Sequence, residues 1–187
     1  MMRIITGTAK GTRLETLEGE NTRPTAERVK EAVFSMIQFD IEGRRVLDLF
    51  AGSGQLGLEA LSRGAANAVF IDSGKDAAEL IKRNAQKTKL FSKSVILSAD
   101  YKSYLRGIKN RERFDIIFLD PPYESDFLDD ALEKICEWDI LNPHGIIVCE
   151  SGRAAPLYTE NTELLRHAKY GRAYITVLHK PAAEGDE

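Results

Sequence analysis

Short apolar runs alternate with amphipathic segments along most of the chain. Apolar runs predict strands at residues 45–50, 68–72, 94–100, 114–120 and 145–150. Apolar positions at helical spacing predict helices between them, at residues 56–64, 75–88, 101–108 and 127–138. Each helical crossover returns the chain to the same end of a sheet, so these strands pair in parallel. The pattern predicts an α/β fold with a mostly parallel central sheet and helices on both faces.

The two ends of the chain depart from this alternation. Residues 3–6 and 12–17 flank a Gly-Thr-Ala-Lys-Gly turn and predict a small β-hairpin. After a loop at residues 18–24, Thr25 is placed to cap a helix whose apolar positions continue to Ile37.

The carboxyl-terminal part predicts a second hairpin. Residues 164–170 and 172–180 are strand-like and meet at Gly171, which gives the sheet one antiparallel edge. The last residues, 182–187, are small and acidic, and we expect them to be flexible.

Composition narrows the class of protein. A chain of 187 residues with 43% hydrophobic content fits one globular domain. The net charge of -3 argues against a surface that is basic throughout, although a local basic patch remains compatible with it. The two cysteines and three histidines lack metal-ligand spacing, so we expect no metal. The sequence has no signal peptide or membrane span, and we expect a cytoplasmic protein, with a size compatible with a monomer.

A glycine-rich turn follows the first strand of the alternating region. Gly52, Gly54 and Gly57 form a G-x-G-x-x-G pattern that opens a helix, as in nucleotide-binding sites. A dinucleotide would place its pyrophosphate on the helix start, whereas S-adenosylmethionine also carries an ammonium group. Asp48, just ahead of the turn, suits an ammonium or an ordered water and would repel a pyrophosphate. A tight turn with an Asp that caps backbone amides remains the structural alternative.

Two further acids end the next strands. Asp72 lies about 20 residues after the first glycine, where an acid meets ribose hydroxyls in such folds. Asp100 can accept a hydrogen bond from an adenine amino group or cap the helix that begins at Tyr101. Neither residue distinguishes the two ligands.

The segment Asp120-Pro121-Pro122-Tyr123 ends the fourth strand of the alternating region. Both prolines lack an N–H, so carbonyl oxygens and the Asp120 carboxylate make a corner rich in acceptors. Such a corner suits an –NH₂ group, whose two N–H bonds can be held while its lone pair faces an electrophile. Tyr123 is placed to stack on a base.

These motifs resemble a known family. Asp-Leu-Phe-Ala-Gly-Ser-Gly followed by Asp-Pro-Pro-Tyr is similar to the amino-directed, S-adenosylmethionine-dependent methyltransferases of Rossmann-like class I fold. Residues 3–14, 22–37 and 57–65 resemble the bacterial enzymes that methylate N2 of a guanosine in small-subunit (16S) ribosomal RNA. The likeness runs from about Arg3 to Lys180.

The resemblance implies roles for individual residues. It implies S-adenosylmethionine as cofactor, S-adenosylhomocysteine as product, and ribosomal RNA or an assembling small subunit as partner. Its cofactor contacts fall on Asp48, Phe50, Gly52, Gly54, Asp72 and Asp100. Its amine-orienting group falls on Asp120, Pro121, Pro122 and Tyr123. Its RNA contacts fall on Lys10, Arg13, Arg23 and Thr25, while Thr12 stands where members usually carry another basic residue.

The resemblance also divides the chain. It implies a hairpin extension for RNA contact at residues 1–24, a Rossmann-like methyltransferase domain at residues 25–181 and a tail at residues 182–187. Residues 1–30 carry six basic and four acidic side chains, a net charge of +2 in a chain that is negative as a whole. Such an arm can contact phosphates without reading base sequence.

Three alternatives remain open from the sequence. An amide-directed protein methyltransferase also needs to hold an –NH₂ group. A dinucleotide-dependent oxidoreductase would use the glycine-rich turn differently. An RNA-binding module that retains only a relic of the cofactor site would need neither motif intact.

Overall fold

Seven strands form one sheet in the computed structural model, which describes residues 2–17, 24–123 and 125–182. The strands are β1 (Arg45–Asp48), β2 (Asn67–Asp72), β3 (Ser94–Ser98), β4 (Phe114–Leu119), β5 (Leu141–Ser151), β6 (Glu163–Tyr170) and β7 (Ala173–His179). Their order is β3-β2-β1-β4-β5-β7-β6, and the first five strands pair in parallel. The predicted α/β class with a mostly parallel sheet is confirmed.

Five α-helices lie in the described part of the chain and cover both faces of the sheet. They are α1 (Pro24–Met36), α2 (Gln55–Ser62), α3 (Lys75–Lys87), α4 (Tyr101–Ile108) and α5 (Phe127–Glu137). Buried side chains of α1, α2 and α3 pack with Val46, Phe70 and Phe118 on one face. Those of α4 and α5 pack with Leu47 and Ile117 on the other. Neighbouring residues of one strand thus serve separate cores, because strand side chains alternate between faces.

Two predicted boundaries differ from the structure. Helix α1 begins at Pro24, so Thr25 lies in its first turn and does not precede it. Proline fits the first helical position because the N–H that it lacks would have no partner there. Strand β5 begins at Leu141 and not at Gly145, with a shift in its pairing to β4 between Phe114 and Ile116. Its segment Asn-Pro-His-Gly has the composition of a turn, which conceals the strand start in the sequence.

The carboxyl-terminal strands form the predicted antiparallel hairpin. Gly171 joins them with a φ of 63°, a conformation that glycine adopts without steric cost. Strand β7 pairs antiparallel with β5, and β6 lies outside it at the edge of the sheet. The second hairpin strand is therefore inserted beside β5, an order that the periodicity alone does not give.

The amino-terminal hairpin is compact. Its two arms meet in one antiparallel bridge between Arg3 and Arg13, flanked by backbone hydrogen bonds from Ile4 to Thr12 and from Leu14 to Met2. The arms are too short to form named strands. Residues 18–23 and 183–187, which hold most of the predicted loop and acidic tail, lie outside the described part of the chain.

The hairpin is anchored on helix α2. The buried Glu59 accepts hydrogen bonds from the backbone amides of Ile5 (2.7 Å) and Thr6 (3.0 Å). A side-chain carbon at Gly7 would lie 1.8 Å from the Ser62 carbonyl oxygen, so only glycine permits this approach. The hairpin shares a core with α1 and α2. No helix among the described residues is long and apolar enough to cross a membrane.

Candidate active site

A cavity of about 980 Å³ opens at the carboxyl ends of the parallel strands. Ligands bind at this edge in open α/β sheets, where strand ends and the following turns leave a crevice. All but one of the residues that the sequence assigned to the cofactor or to the amine-orienting corner line this cavity. The exception is Gly54, which lies in the adjoining turn. The lining residues are Asp48, Phe50, Gly52, Asp72, Asp100, Asp120, Pro121, Pro122 and Tyr123.

Strand register places the acids on one face of the sheet. Asp48 pairs with Phe118, and Phe118 pairs with Val148. Because paired residues of neighbouring strands share a face, Asp120 and Glu150, each two residues further on, lie side by side on the face of Asp48. The sheet therefore brings together acids that are far apart in the sequence.

The glycine-rich turn uses its amides within the protein. Gly52 and Gly54 have φ values of 51° and 79°, which side chains rarely adopt. The Gly52 amide donates to Asp72 (2.9 Å), the Gly54 amide to the Ala51 carbonyl (2.6 Å), and the Gly57 amide to Asp48 (3.0 Å). These three glycine amides are thus satisfied by acceptors, and two of the acceptors are carboxylates.

Gly57 has a packing role. A side-chain carbon at this position would lie 2.3 Å from the ring of Phe70 on β2. The third glycine of the pattern therefore lets α2 lie close to the sheet, as helix–strand packing requires.

Asp48 lies at the closed end of the cavity. Its side chain is 2% exposed, and no described residue forms an ion pair with it. Burial raises the pKa of Asp48 to about 7, against an ordinary value of 3.8, and the Gly57 hydrogen bond offsets part of that effect. The site therefore favours a positively charged or hydrogen-bond-donating group next to this carboxyl.

Asp72 and Asp100 combine structural roles with positions on the cavity wall. Asp72 accepts from the amides of Gly52 and Gly74, at 2.9 and 2.8 Å. Asp100 caps helix α4 by accepting from the Ser103 amide at 2.9 Å, so the capping role considered for it is confirmed. A carboxylate offers about four acceptor sites, and these bonds leave capacity for a ligand.

Aromatic rings form one wall beside these acids. Phe50 and Phe127 stack with an interplanar angle of 5° and a centroid distance of 6.3 Å. Tyr101 packs on both rings and donates its hydroxyl to Asp130 at 2.9 Å. The wall provides an apolar surface against which a planar ligand group can pack.

The Asp-Pro-Pro-Tyr corner follows β4. The Pro122 carbonyl accepts from the amide (3.2 Å) and hydroxyl (2.7 Å) of Ser125, which closes the turn. Tyr123 is 49% exposed, and its hydroxyl donates to Glu150 at 2.6 Å. Its ring faces Gly152, where a side-chain carbon would lie 3.1 Å from it. Burial and the bond to Glu150 raise the pKa of Tyr123, so its hydroxyl stays protonated and acts as a donor.

The residues predicted to contact RNA do not all reach the cavity. Lys10 and Arg13 are exposed on the hairpin and do not line it. Met2, at the base of the hairpin, does line it, so the hairpin adjoins the cavity. Arg23 lies outside the described residues, and Thr25 is described only as part of the α1 backbone.

Among the cavity residues that the sequence did not assign to a site, three bear on its chemistry. Glu150 lies one residue before the end of β5, much as the four aspartates end or follow their strands, so the same strand-end signal could have revealed it. Lys30 is 2% exposed and lies 3.5 Å from Glu59, a pairing across 29 positions that no local pattern announces. Phe127 resembles an ordinary helical apolar residue, and its place in the aromatic wall depends on the fold.

Comparison with known proteins identifies the family to which the chain is similar. The family described as Conserved hypothetical protein 95 matches residues 2–179. Ribosomal RNA small subunit methyltransferase D of Haemophilus influenzae is 37% identical over 172 residues, which cover 91% of this chain and 89% of the relative.

Solved structures extend the likeness to the whole fold. The structure of yhhF from Escherichia coli matches with a TM-score of 0.86 at 29% identity, over 97% of this chain and 99% of that one. An RNA methyltransferase from Salinibacter ruber, in complex with S-adenosyl-L-homocysteine, has a TM-score of 0.62 over 88% of this chain and 98% of that one. Its 16% identity indicates a shared fold alone.

Proposed function

The chain belongs to the family of ribosomal RNA small subunit methyltransferase D, and we propose that it transfers a methyl group from S-adenosylmethionine to the N2 amine of a guanosine in small-subunit ribosomal RNA. One observation carries this proposal. The cavity beside the glycine-rich turn is continuous with the acceptor-rich corner at Asp120, so a cofactor site and an amine site share one edge of the sheet.

The polar groups that line the cavity favour S-adenosylmethionine over a dinucleotide as the ligand. A pyrophosphate needs free backbone amides, whereas Gly52 and Gly57 already donate to carboxylates that would repel it. The same carboxylates suit the cationic and hydroxyl groups of S-adenosylmethionine. Asp48 would contact its ammonium group, and Asp72 would accept hydrogen bonds from its ribose hydroxyls. Asp100 and the ring of Phe50 would hold the adenine. When bound, S-adenosylmethionine supplies a methyl group on a positively charged sulfur.

The corner at β4 would prepare the acceptor nitrogen. An exocyclic amine is a weak nucleophile because its lone pair is delocalised into the base. If Asp120 and the Pro121 carbonyl each accept one N–H, the lone pair turns away from the ring plane, and the Asp120 charge stabilises the positive charge that develops on nitrogen. Tyr123 would stack on a base that is turned out of the RNA, a contact worth roughly 1–3 kcal/mol.

The hairpin extension at residues 1–24 would contact the RNA backbone, and residues 25–181 would form the catalytic domain. Lys10 and Arg13 are exposed on the hairpin, and Met2 at the base of the same hairpin lines the cavity, which supports a phosphate-binding role for the two basic side chains. Arg23 and Thr25, which the resemblance assigns to RNA contact, would contribute to the same binding.

Asp120→Asn and Asp120→Ala test the amine-holding role. We expect methyl transfer from labelled S-adenosylmethionine to unmethylated small-subunit ribosomal RNA to fall by roughly 100-fold or more, because the variants lose an electrostatic contact made in the transition state. Binding of S-adenosylhomocysteine by calorimetry should stay nearly unchanged. Asp76→Asn, an exposed acid on α3, is the matched control and should keep full activity.

The identity of the product tests the substrate. Digestion of the labelled RNA should release N2-methylguanosine, and mapping should locate it at one nucleotide. Label in another nucleoside, or in protein when RNA is removed, would contradict the proposal; the latter result would identify the amide-directed alternative.

A further inference from the structure

Glu150 lies directly beside the amine-holding corner. Leu119 on β4 pairs with Cys149 on β5, and the next residues along the two strands are Asp120 and Glu150. The Glu150 carboxylate accepts the Tyr123 hydroxyl at 2.6 Å through Oε1, and its side chain lines the cavity. A second carboxylate thus flanks the position proposed for the substrate amine.

The surroundings of Glu150 are apolar. Val148 precedes it by two residues on the same face, and Ile175 is its cross-strand partner on β7; both line the cavity and are buried. Within the described part of the chain, Glu150 has no ion pair with a lysine or arginine. Burial raises its pKa. Packing alone does not require a carboxylate among these apolar side chains. Among the residues that the structure describes, the Tyr123 hydroxyl donates to Oε1 of Glu150, which leaves Oε2 for a further donor.

The Watson–Crick edge of guanine offers such a donor. Its N2 amine stands next to N1–H, whereas the amine of adenine stands next to N1 as an acceptor. An acid beside the amine pocket would bind the guanine edge and would repel the N1 lone pair of adenine. We propose that Glu150 accepts the N1–H of the target guanosine and so selects guanine, an inference that rests on the proposed transfer to guanine N2.

An analogue that keeps the amine but lacks the N1 proton, and with it O6, tests this when the wild-type protein is compared with a Glu150 variant. The nucleotide that the wild-type protein methylates is first mapped, and RNA fragments are then made with guanosine or 2-aminopurine riboside at that position. We expect the wild-type protein to prefer guanosine by roughly 10- to 100-fold in kcat/KM, the effect of one hydrogen bond to a charged group.

Glu150→Gln should reduce this preference to about threefold or less, since an amide can accept from N1–H or donate to a bare N1. The loss should come mainly from slower reaction on guanosine. An unchanged preference in Glu150→Gln would overturn the proposal. So would an absence of preference in the wild-type protein, a result that does not depend on how the variant folds.

Two further variants separate recognition from positioning of the tyrosine. Tyr123→Phe removes the bond to Glu150 and leaves its carboxylate in place; we expect slower transfer with the guanosine preference retained. If Tyr123→Phe also abolished the preference, Glu150 would act only through Tyr123, contrary to the proposal. Glu163→Gln makes the same chemical change at an exposed residue of β6 and should behave as wild type.

The same assays distinguish failure of the inference from failure of the proposed function. Wild-type methylation at N2 of both guanosine and 2-aminopurine with equal efficiency would reject the role of Glu150 and leave the reaction intact. Absence of N2 methylation in either RNA would reject the proposed function itself, and with it this inference.

Discussion

Asp48 shows how one residue joins folding to ligand binding. It holds the turn through the Gly57 amide, yet it is buried at the end of the cavity without a cation from the described residues beside it. Burial raises its pKa to about 7, so the carboxyl holds a proton far more readily than an exposed aspartate does. A cationic ligand group would favour the ionised form. The residue therefore stores an electrostatic cost that a cofactor ammonium would relieve.

The stability of the ligand-free protein should report this cost. Because the folded-state pKa of Asp48 lies above its unfolded value of 3.8, the folded state binds the proton more tightly. Its contribution is complete below pH 4 and is lost as pH rises to about 7, with a total of roughly 4 kcal/mol at most. We expect Asp48→Asn to stabilise the protein by roughly 2 kcal/mol more at pH 8 than at pH 5.

Urea unfolding of both proteins at the two pH values measures this difference, in which other titrating groups cancel. A difference between variant and wild type that is the same at pH 5 and pH 8 would show that Asp48 does not carry the predicted cost. Asp76→Asn makes the same chemical change at an exposed position and controls for the substitution itself.

Helix α2 is the element that connects the parts of the site. Its amino-terminal end follows the glycine-rich turn, its glycine at position 57 lies against Phe70, and its Glu59 and Ser62 hold the hairpin. The placement of α2 therefore fixes both the glycine-rich turn and the hairpin.

Gly57→Ala should reveal how closely α2 must pack. The added carbon would lie 2.3 Å from the Phe70 ring, and we expect the free energy of unfolding to fall by about 1–3 kcal/mol through overpacking. Gly107→Ala is the matched control, because this helical glycine of α4 has no atom within 4 Å of the added carbon. That control should be neutral or stabilise the protein by up to about 1 kcal/mol. Chemical denaturation measures both; equal effects would contradict the prediction.

Glu59→Gln should loosen the hairpin. The substitution puts an amide where Glu59 accepts from Ile5 and Thr6 and faces Lys30, so it disrupts a buried charged network. We expect a loss of roughly 3–5 kcal/mol in the free energy of unfolding, the range for breaking a buried pair. Hydrogen exchange should become faster at residues 4–14 than in the central strands.

Glu79→Gln provides the control for this element. Glu79 is exposed on α3 and forms an ion pair with Lys82, so the loss of its charge should cost less than about 1 kcal/mol. Equal hydrogen exchange at residues 4–14 in both variants would show that Glu59 does not anchor the hairpin.

At the scale of the whole molecule, the hairpin proposed for RNA contact and the cavity proposed for the cofactor are separate regions. The sheet presents its carboxyl edge to the cavity, the hairpin adjoins that edge beside α1 and α2, and α4 and α5 cover the opposite face. An RNA held by the hairpin would therefore approach the corner at Asp120 from one side. This arrangement makes RNA affinity and cofactor affinity separable by mutation.

The double variant Lys10→Ala with Arg13→Ala should weaken RNA binding and its dependence on salt. Each lost phosphate contact should reduce the slope of log affinity against log salt by about 0.7–0.9. Affinity for S-adenosylhomocysteine should not change. Filter binding over a salt series measures the slope. Arg106→Ala, exposed on α4, is the control, and a slope change as large as that of the double variant would place the RNA elsewhere.

The sequence by itself determined the local features. Periodicity predicted all seven strands and five helices of the fold to within a few residues at most ends, and strand-end acids marked the cavity. These features depend on neighbours within one or two turns of chain, where composition and spacing act directly. The acceptor-rich corner is local in the same sense, because the prolines remove donors whatever surrounds them.

Only the tertiary structure decided which distant residues meet. The strand order places β7 beside β5, and the register of β4 and β5 places Glu150 next to Asp120. The packing of the hairpin and helices brings the buried Lys30 to Glu59. It also placed Gly57 against the ring of Phe70 on β2. Pairing register, burial and electrostatic shifts arise between segments that are far apart in the chain, so no local pattern encodes them. The sequence indicated the chemistry of each residue, whereas the fold determined which residues lie next to it.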